Sequence, residues 1–279
     1  MIFASWKDIY KVVRKSDIVL EVVDARVPDI TRSHALERTV GKEGKKLLIV
    51  INKADLIPRS IAEKWKKLFE DQGYPAVYIS ARDRLGTRVL RVKIKSLVDK
   101  RGIVASVIGY PKVGKSSIIN ALKGKHSAQT SPIPGSPGYT KHIQLYKVDP
   151  RIYIIDTPGV IPPRGEDVFA IIRGKEPDSF RDPVKPAVSF IKFLMENYPQ
   201  LLSRTYKVEC EDPYSFLEKL ALKRGWVYRK TKEPNIEESA KLIIRDWHRE
   251  KIVAFSKPEL PLSEILKKYV IKRRRELSV

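Results

Sequence analysis

In Gly109-Tyr-Pro-Lys-Val-Gly114-Lys115-Ser116, two glycines flank four residues and are followed at once by a lysine and a hydroxyl. Glycine backbone can curl its N–H groups around phosphate oxygens, and a helix starting there adds the positive end of its dipole. Lys112, Val113, Gly114, Lys115, Ser116 and Ser117 would then line a phosphate cradle. Lys115 would reach the β- and γ-phosphates, and Ser116 would offer its hydroxyl to Mg²⁺. A chance match would be a turn before a helix cap. Here an apolar run enters from Ile103 and the helical pattern Ser117-Ile-Ile-Asn-Ala-Leu leaves, which is the context the motif requires.

Ile152-Tyr-Ile-Ile-Asp156-Thr-Pro-Gly159 puts a carboxylate at the end of an apolar run, with a glycine three residues on. Such an Asp can hold Mg²⁺ through water, and the Gly159 amide can sense a γ-phosphate. Alone this D-x-x-G is a common turn; about 40 residues after a phosphate cradle it gains weight. Leu47-Leu-Ile-Val-Ile-Asn52-Lys53-Ala54-Asp55 supplies base selection. The Asp55 carboxylate can accept from N1–H and the 2-amino group of guanine, and Lys53 can lay its stem over the base. Adenine would leave the carboxylate unpaired, a difference of about a thousandfold or more. Ser80-Ala81-Arg82 follows a further apolar run, where a backbone amide can meet guanine O6. These segments together read as a site for GTP and GDP rather than ATP.

Their order is unusual. In most GTPases the phosphate cradle comes first, then D-x-x-G, then N-K-x-D and S-A; here the last two come first. This circular permutation resembles the circularly permuted GTPases of ribosome assembly, in particular the YlqF/RbgA-like family. Asp24-Ala-Arg26-Val-Pro28 matches that group's D-A-R-x-P signature. Arg224-Gly-Trp226 and the stretch from Ile236 through Arg245-Asp246-Trp247 to Lys251 look like its C-terminal helical region. The resemblance implies that Ser136-Pro-Gly138-Tyr-Thr140 is the switch segment, with Thr140 on Mg²⁺ beside Ser116 and Asp156. Thr130 and Ser136 are weaker substitutes. Lys115 and Thr140 are then the residues expected to act at the γ-phosphate. It also implies a large ribosomal subunit or its precursor, and rRNA, as partners. The alternatives are a small-subunit assembly GTPase or a GTP-dependent RNA-binding protein with little hydrolysis.

Two departures matter. The family usually carries Asn where this chain has Lys112, so a potassium ion near the phosphates is in question and the Lys112 ammonium is the favoured replacement. Val160 stands where many GTPases place a water-orienting Gln, so slow turnover, stimulated by a partner, is expected.

The elements needed to position these residues are legible from periodicity. Strand-like runs occur at 18–23, 47–51, 76–79, 103–108, 143–148 and 152–155, with helical patterns at 60–72, 86–100 and 115–123. Alternation of this kind predicts a mostly parallel sheet covered on both faces. If the fold is Ras-like, the runs lie in the sheet in the order 143, 152, 103, 18, 47, 76. Helical patterns at 187–198, 213–223, 235–250 and 262–275 follow a proline-rich stretch. The expected fold is therefore α/β: a circularly permuted Ras-like P-loop GTPase domain at 1–160, a switch-connected linker at 161–186, and a smaller, mostly helical RNA-binding domain at 187–279.

Composition bounds the rest. The 279 residues are 42% hydrophobic, with 55 Lys+Arg against 33 Asp+Glu, for a net charge of +22. Such a surface attracts polyanions, nucleic acid first. Residues 161–279 hold 25 basic and 18 acidic residues, leaving 30 and 15 in 1–160, so the GTPase half carries most of the excess. Basic clusters lie at 82–101, at 223–232 with Trp226 and Tyr228 interleaved, and at 272–275; Trp247 reads as core. No apolar run is long enough to cross a membrane. No secretory or lipidation signal is read, and the single Cys210 cannot form an internal disulfide. A cytoplasmic monomer is expected.

Overall fold

The computed structural model describes residues 5–123, 129–130, 144–156, 159–210 and 212–270. Thr140, Ser136, Gly138 and the basic run 272–275 lie outside them, as does the Asp156 side chain.

Helix α1 (Trp6–Lys15) opens the described chain with a capping box between Ser5 and Asp8. Strand β1 (Ile18–Asp24), short α2 (Pro28–Thr31), α3 (His34–Lys42) and β2 (Lys46–Asn52) follow. Then come α4 (Arg59–Asp71), β3 (Ala76–Tyr78), α5 (Thr87–Leu97), β4 (Ile103–Gly109) and α6 (Lys115–Lys123). Strands β5 (Gln129–Thr130), β6 (Gln144–Asp149), β7 (Ile152–Asp156) and β8 (Gly159–Val160) end this half. The sheet order is β3-β2-β1-β4-β7-β6-β5, with β8 also on β4. This is the order anticipated for a Ras-like sheet entered in permuted sequence. The β3-to-β7 pairs are parallel, and β6 and β5 run antiparallel at the edge.

Every residue of β1 and β4 is buried, because helices cover both faces. On one face Leu90, Ile94, Ile118 and Leu122 pack on Leu20, Leu48 and Val107. On the other, Ile9, Val13, Leu36 and Val40 cover Val19 and Ile108, while Trp65 and Phe69 cover Ile49 and Ile51. Neither α1 nor α3 is among the helical patterns legible from periodicity. Each buries only two or three apolar side chains, at helical spacing (Ile9, Val12 and Val13; Leu36 and Val40), within one short segment of mostly charged and polar residues.

The chain divides into two compact units, residues 1–162 with Phe255–Glu259, and residues 163–254 with 260–279. In the second, α7 (Val168–Ile172), α8 (Val184–Asn197), α9 (Leu201–Tyr206), α10 (Pro213–Lys223), α11 (Ile236–His248) and α12 (Leu262–Leu266) follow in order. The stretch 161–186, whose prolines mark either a linker or an irregular start to a second domain, carries α7 with Val168, Ala170 and Ile171 fully buried. It therefore contributes core to this unit despite its prolines. Of the helical pattern read at 262–275, α12 takes Leu262–Leu266 and a 3-10 turn takes Lys267–Tyr269, and the rest lies outside the described residues. Trp247 is core: it meets Phe190 edge-on at 5.3 Å.

Candidate nucleotide site

β1, β2, β3 and β4 are parallel neighbours, so the segments that follow them emerge at one edge of the sheet. That edge collects Asp24, Asn52-Lys53-Ala54-Asp55, Ser80-Ala81-Arg82 and the glycine loop after Gly109.

The loop 109–115 is shaped by close backbone approaches. A Cβ on Gly109 would fall 2.5 Å from the Val22 carbonyl oxygen, and one on Gly114 only 2.2 Å from Asn52 Nδ2. Gly114 has φ +95° and Lys112 φ +63°. The first conformation suits glycine; the second is left-handed backbone on an exposed lysine. α6 starts at Lys115, and Ser116 and Ser117 are exposed on its first turn. Lys115 Nζ donates to the Tyr110 carbonyl across the loop. Burial pushes the Lys115 ammonium down to about 7. An anion in the loop would favour its charged form.

Asn52 is 2% exposed and joins three segments. Its Nδ2 donates to the Val113 carbonyl at 2.9 Å, and its Oδ1 accepts from the Ala81 N–H at 3.1 Å. Ser80 closes the neighbouring loop, bonding Asp83 Oδ2 at 2.9 Å and pairing its backbone with Leu85. Asp55 is held by the Arg82 guanidinium. The carboxylate read as the guanine acceptor thus has a cationic neighbour from the very segment expected to meet O6.

Lys53 is buried, and its Nζ lies 2.8 Å from Asp24 Oδ2. In the sequence Asp24 and Arg26 stand out only as part of the D-A-R-x-P signature, which by itself assigns them no work at the site. The usable signal was register: Asp24 and Asn52 are partners at the ends of adjacent parallel strands.

Gly159 lies on β8, paired with Ile108 beside the glycine loop, and Ile161 N donates to the Gly109 carbonyl at 3.0 Å. A Cβ on Gly159 would come 2.5 Å from the Val107 carbonyl oxygen. Asp156 ends β7, which pairs with the strand leading into the loop. Asp156, expected on Mg²⁺, and Gly159, expected to sense the γ-phosphate, are therefore brought by backbone to the same edge. The donor set read for a divalent ion is all oxygen, suiting Mg²⁺. Of its members, the Ser116 side chain is described, and it sits exposed at the helix start as such a ligand must.

The RsgA GTPase family model matches residues 12–163. A GTP-binding protein of Methanocaldococcus jannaschii is 35% identical over 276 residues, covering 98% of this chain and 70% of that protein. Nucleolar GTP-binding protein 2 of Saccharomyces cerevisiae is 35% identical over 267 residues, covering 91% of this chain and 53% of its own length. Relatives of that name from Yarrowia lipolytica and Neurospora crassa are covered over 50% and 41%. The chain thus spans about half their length. GNP-bound YlqF from T. maritima superposes with a TM-score of 0.63 at 25% identity, over 92% of this chain and 99% of that one. The GDP-bound YlqF structure matches with the same score and identity. The chain belongs to the RsgA GTPase family, as a circularly permuted GTPase with a helical C-terminal region.

Proposed function

We propose that this protein is a ribosome-assembly GTPase that binds GTP and GDP with Mg²⁺ and acts on the large ribosomal subunit or its precursor. The observation that carries the nucleotide half is the Asn52 junction, which draws base-reading and phosphate-holding segments into one site. In this reading Asp55 and a backbone amide of the Ser80-Ala81-Arg82 segment read guanine, Lys53 covers it, and residues 112–117 hold the phosphates. Ser116, Asp156 and Thr140 would ligate the ion, which neutralises charge between the β- and γ-phosphates. Lys115 and Thr140 act at the γ-phosphate, and Val160 beside Gly159 leaves water orientation to a partner.

The partner half rests on charge and on the resemblance. Net +22 favours a polyanion. Not every basic residue of the clusters is available, however. Lys95 pairs with Asp149 at 3.2 Å, Lys100 with Asp17 at 3.0 Å, and Arg91 donates to the Leu122 carbonyl at 2.8 Å. Lys223 likewise donates to the Tyr206 and Lys207 carbonyls. Arg84 and Arg88 in one unit, and Arg224, Arg229 and Lys230 beside Tyr228 (44% exposed) in the other, remain at the surface. Those are the residues we assign to rRNA.

No helix among the described residues is long and apolar enough to cross a membrane. We place the protein's work in the cytoplasm, as a monomer, although several relatives are named for the nucleolus. The deciding experiment is GTP hydrolysis with purified large subunits, small subunits serving as control. Stimulation by large subunits alone supports the assignment; no stimulation, or preference for small subunits, overturns it.

A further inference from the structure

Lys53 has φ +66°, left-handed backbone for a residue with a side chain, and is 8% exposed. A residue persists there only when its surroundings determine it, and a buried ammonium requires an opposing charge. Asp24 provides that charge and is itself fully engaged. Its Oδ2 meets Lys53 Nζ at 2.8 Å and Arg26 Nη2 at 2.9 Å. Its Oδ1 accepts from Arg26 Nε at 3.1 Å and from the Arg26 backbone N–H at 3.0 Å. Burial would raise the Asp24 carboxyl, but Arg26 and Lys53 hold it well below the usual carboxylate range.

The cluster is also fastened from behind. The Asp24 N–H donates to Thr31 Oγ1 at 3.0 Å. The Arg26 carbonyl takes the Ser256 N–H at 2.6 Å, and the Ser256 carbonyl takes Trp65 Nε1 at 3.1 Å. Neither Asp24 nor Arg26 belongs to any segment that reads base or phosphate.

We propose that Asp24, braced by Arg26, is a positioning residue for guanine: it anchors the Lys53 ammonium so that the lysine stem is preset as one wall of the base site. This rests on the guanine reading of Asn52-Lys53-Ala54-Asp55 and extends it. The benefit is entropic. A lysine stem has several rotors, and ordering them at the moment of binding weakens a ligand about tenfold. Asp24 orders them beforehand.

A double-mutant cycle tests this, with GDP and inorganic pyrophosphate as probes in titration calorimetry on the full chain. Asp24→Asn and Lys53→Met should each weaken GDP about ten- to thirtyfold, and the pair together no more than about threefold beyond Lys53→Met alone. Pyrophosphate affinity should be unchanged, because its loop is untouched. Asp24→Asn leaves Arg26 and Lys53 buried without their counter-charge. The Asp24→Asn/Arg26→Gln variant therefore accompanies it, with thermal unfolding followed, and should bind GDP as weakly while unfolding at a higher temperature than Asp24→Asn. Losses that multiply across the cycle, or that fall equally on pyrophosphate, overturn the proposal. Wild-type protein that binds pyrophosphate but not GDP overturns the guanine reading itself, and this proposal with it.

Discussion

The Asn52 carboxamide donates to the Val113 carbonyl across 2.9 Å, although the two residues are 61 positions apart in the chain. Through its oxygen the same side chain holds the Ala81 amide, so one buried group sets the spacing of three loops. Asn52→Ala removes both bonds and leaves a carbonyl and an N–H unpaired. A loss of about 1–3 kcal/mol in stability is expected, with GDP affinity falling about tenfold or more as the loops separate. Urea denaturation and calorimetric titration of one preparation measure both; an unchanged affinity would show that the loops hold their spacing without Asn52.

Glycine geometry at the cradle separates local strain from site damage. Gly114→Ala would drive a methyl to 2.2 Å from Asn52 Nδ2 at φ +95°, and nucleotide binding should be lost. Gly44 also has positive φ, +62°, but a Cβ there meets nothing within 4 Å. Gly44→Ala should cost about 1 kcal/mol through backbone conformation alone and leave GDP affinity unchanged. Equal effects of the two substitutions on GDP binding would contradict this account of the loop.

Glu21 lies fully buried on β1. Its Oε1 accepts from the Ser33 N–H at 2.6 Å, while Oε2 has no hydrogen-bond partner among the described residues. Burial, aided by the Glu37 charge, pushes its carboxyl up to about 8 from 4.5. The folded protein therefore holds a proton that the unfolded chain releases. Its contribution to stability is complete below pH 4.5 and is lost as pH rises through about 8. Glu21→Gln should flatten the fall across that window, by at most about 1.4 kcal/mol per pH unit, and should be more stable than wild type at the alkaline end. Unfolding curves from pH 5 to 9 read the difference, and parallel profiles would refute it.

Lys112 carries its charge at the exposed apex of the loop, in left-handed backbone that asparagine adopts readily. Wild-type hydrolysis should proceed at comparable rates in potassium and sodium chloride. Lys112→Asn should lower the rate in sodium and make potassium stimulatory. A strong potassium requirement in the wild type would show that the ammonium does not replace the ion.

The sheet was legible because parallel buried strands leave an unmistakable pattern: 18–24, 47–51 and 103–108 are almost continuously apolar. The permuted motif order then implied their arrangement. The phosphate and base segments were legible for a different reason, since each depends on residue types at short, fixed spacing. Helices α1 and α3 were not, because their few buried side chains acquire meaning only once a sheet face exists to receive them. Nor was the core role of Val168 and Ile171, because the prolines of 161–186 suit a linker and an irregular domain start equally, and only packing in the helical unit separates the two.

By itself the sequence determined the chemistry available: a glycine cradle, an Asn-Lys-x-Asp segment, and a surplus of positive charge. Only the tertiary structure decided how these act on one another. Asn52 reaches Val113, Arg82 reaches Asp55, and Asp24 reaches Lys53 because strands distant in the chain lie side by side. Hydrogen bonds and ion pairs act over about 3 Å, and only the register of the folded sheet brings such residues that close.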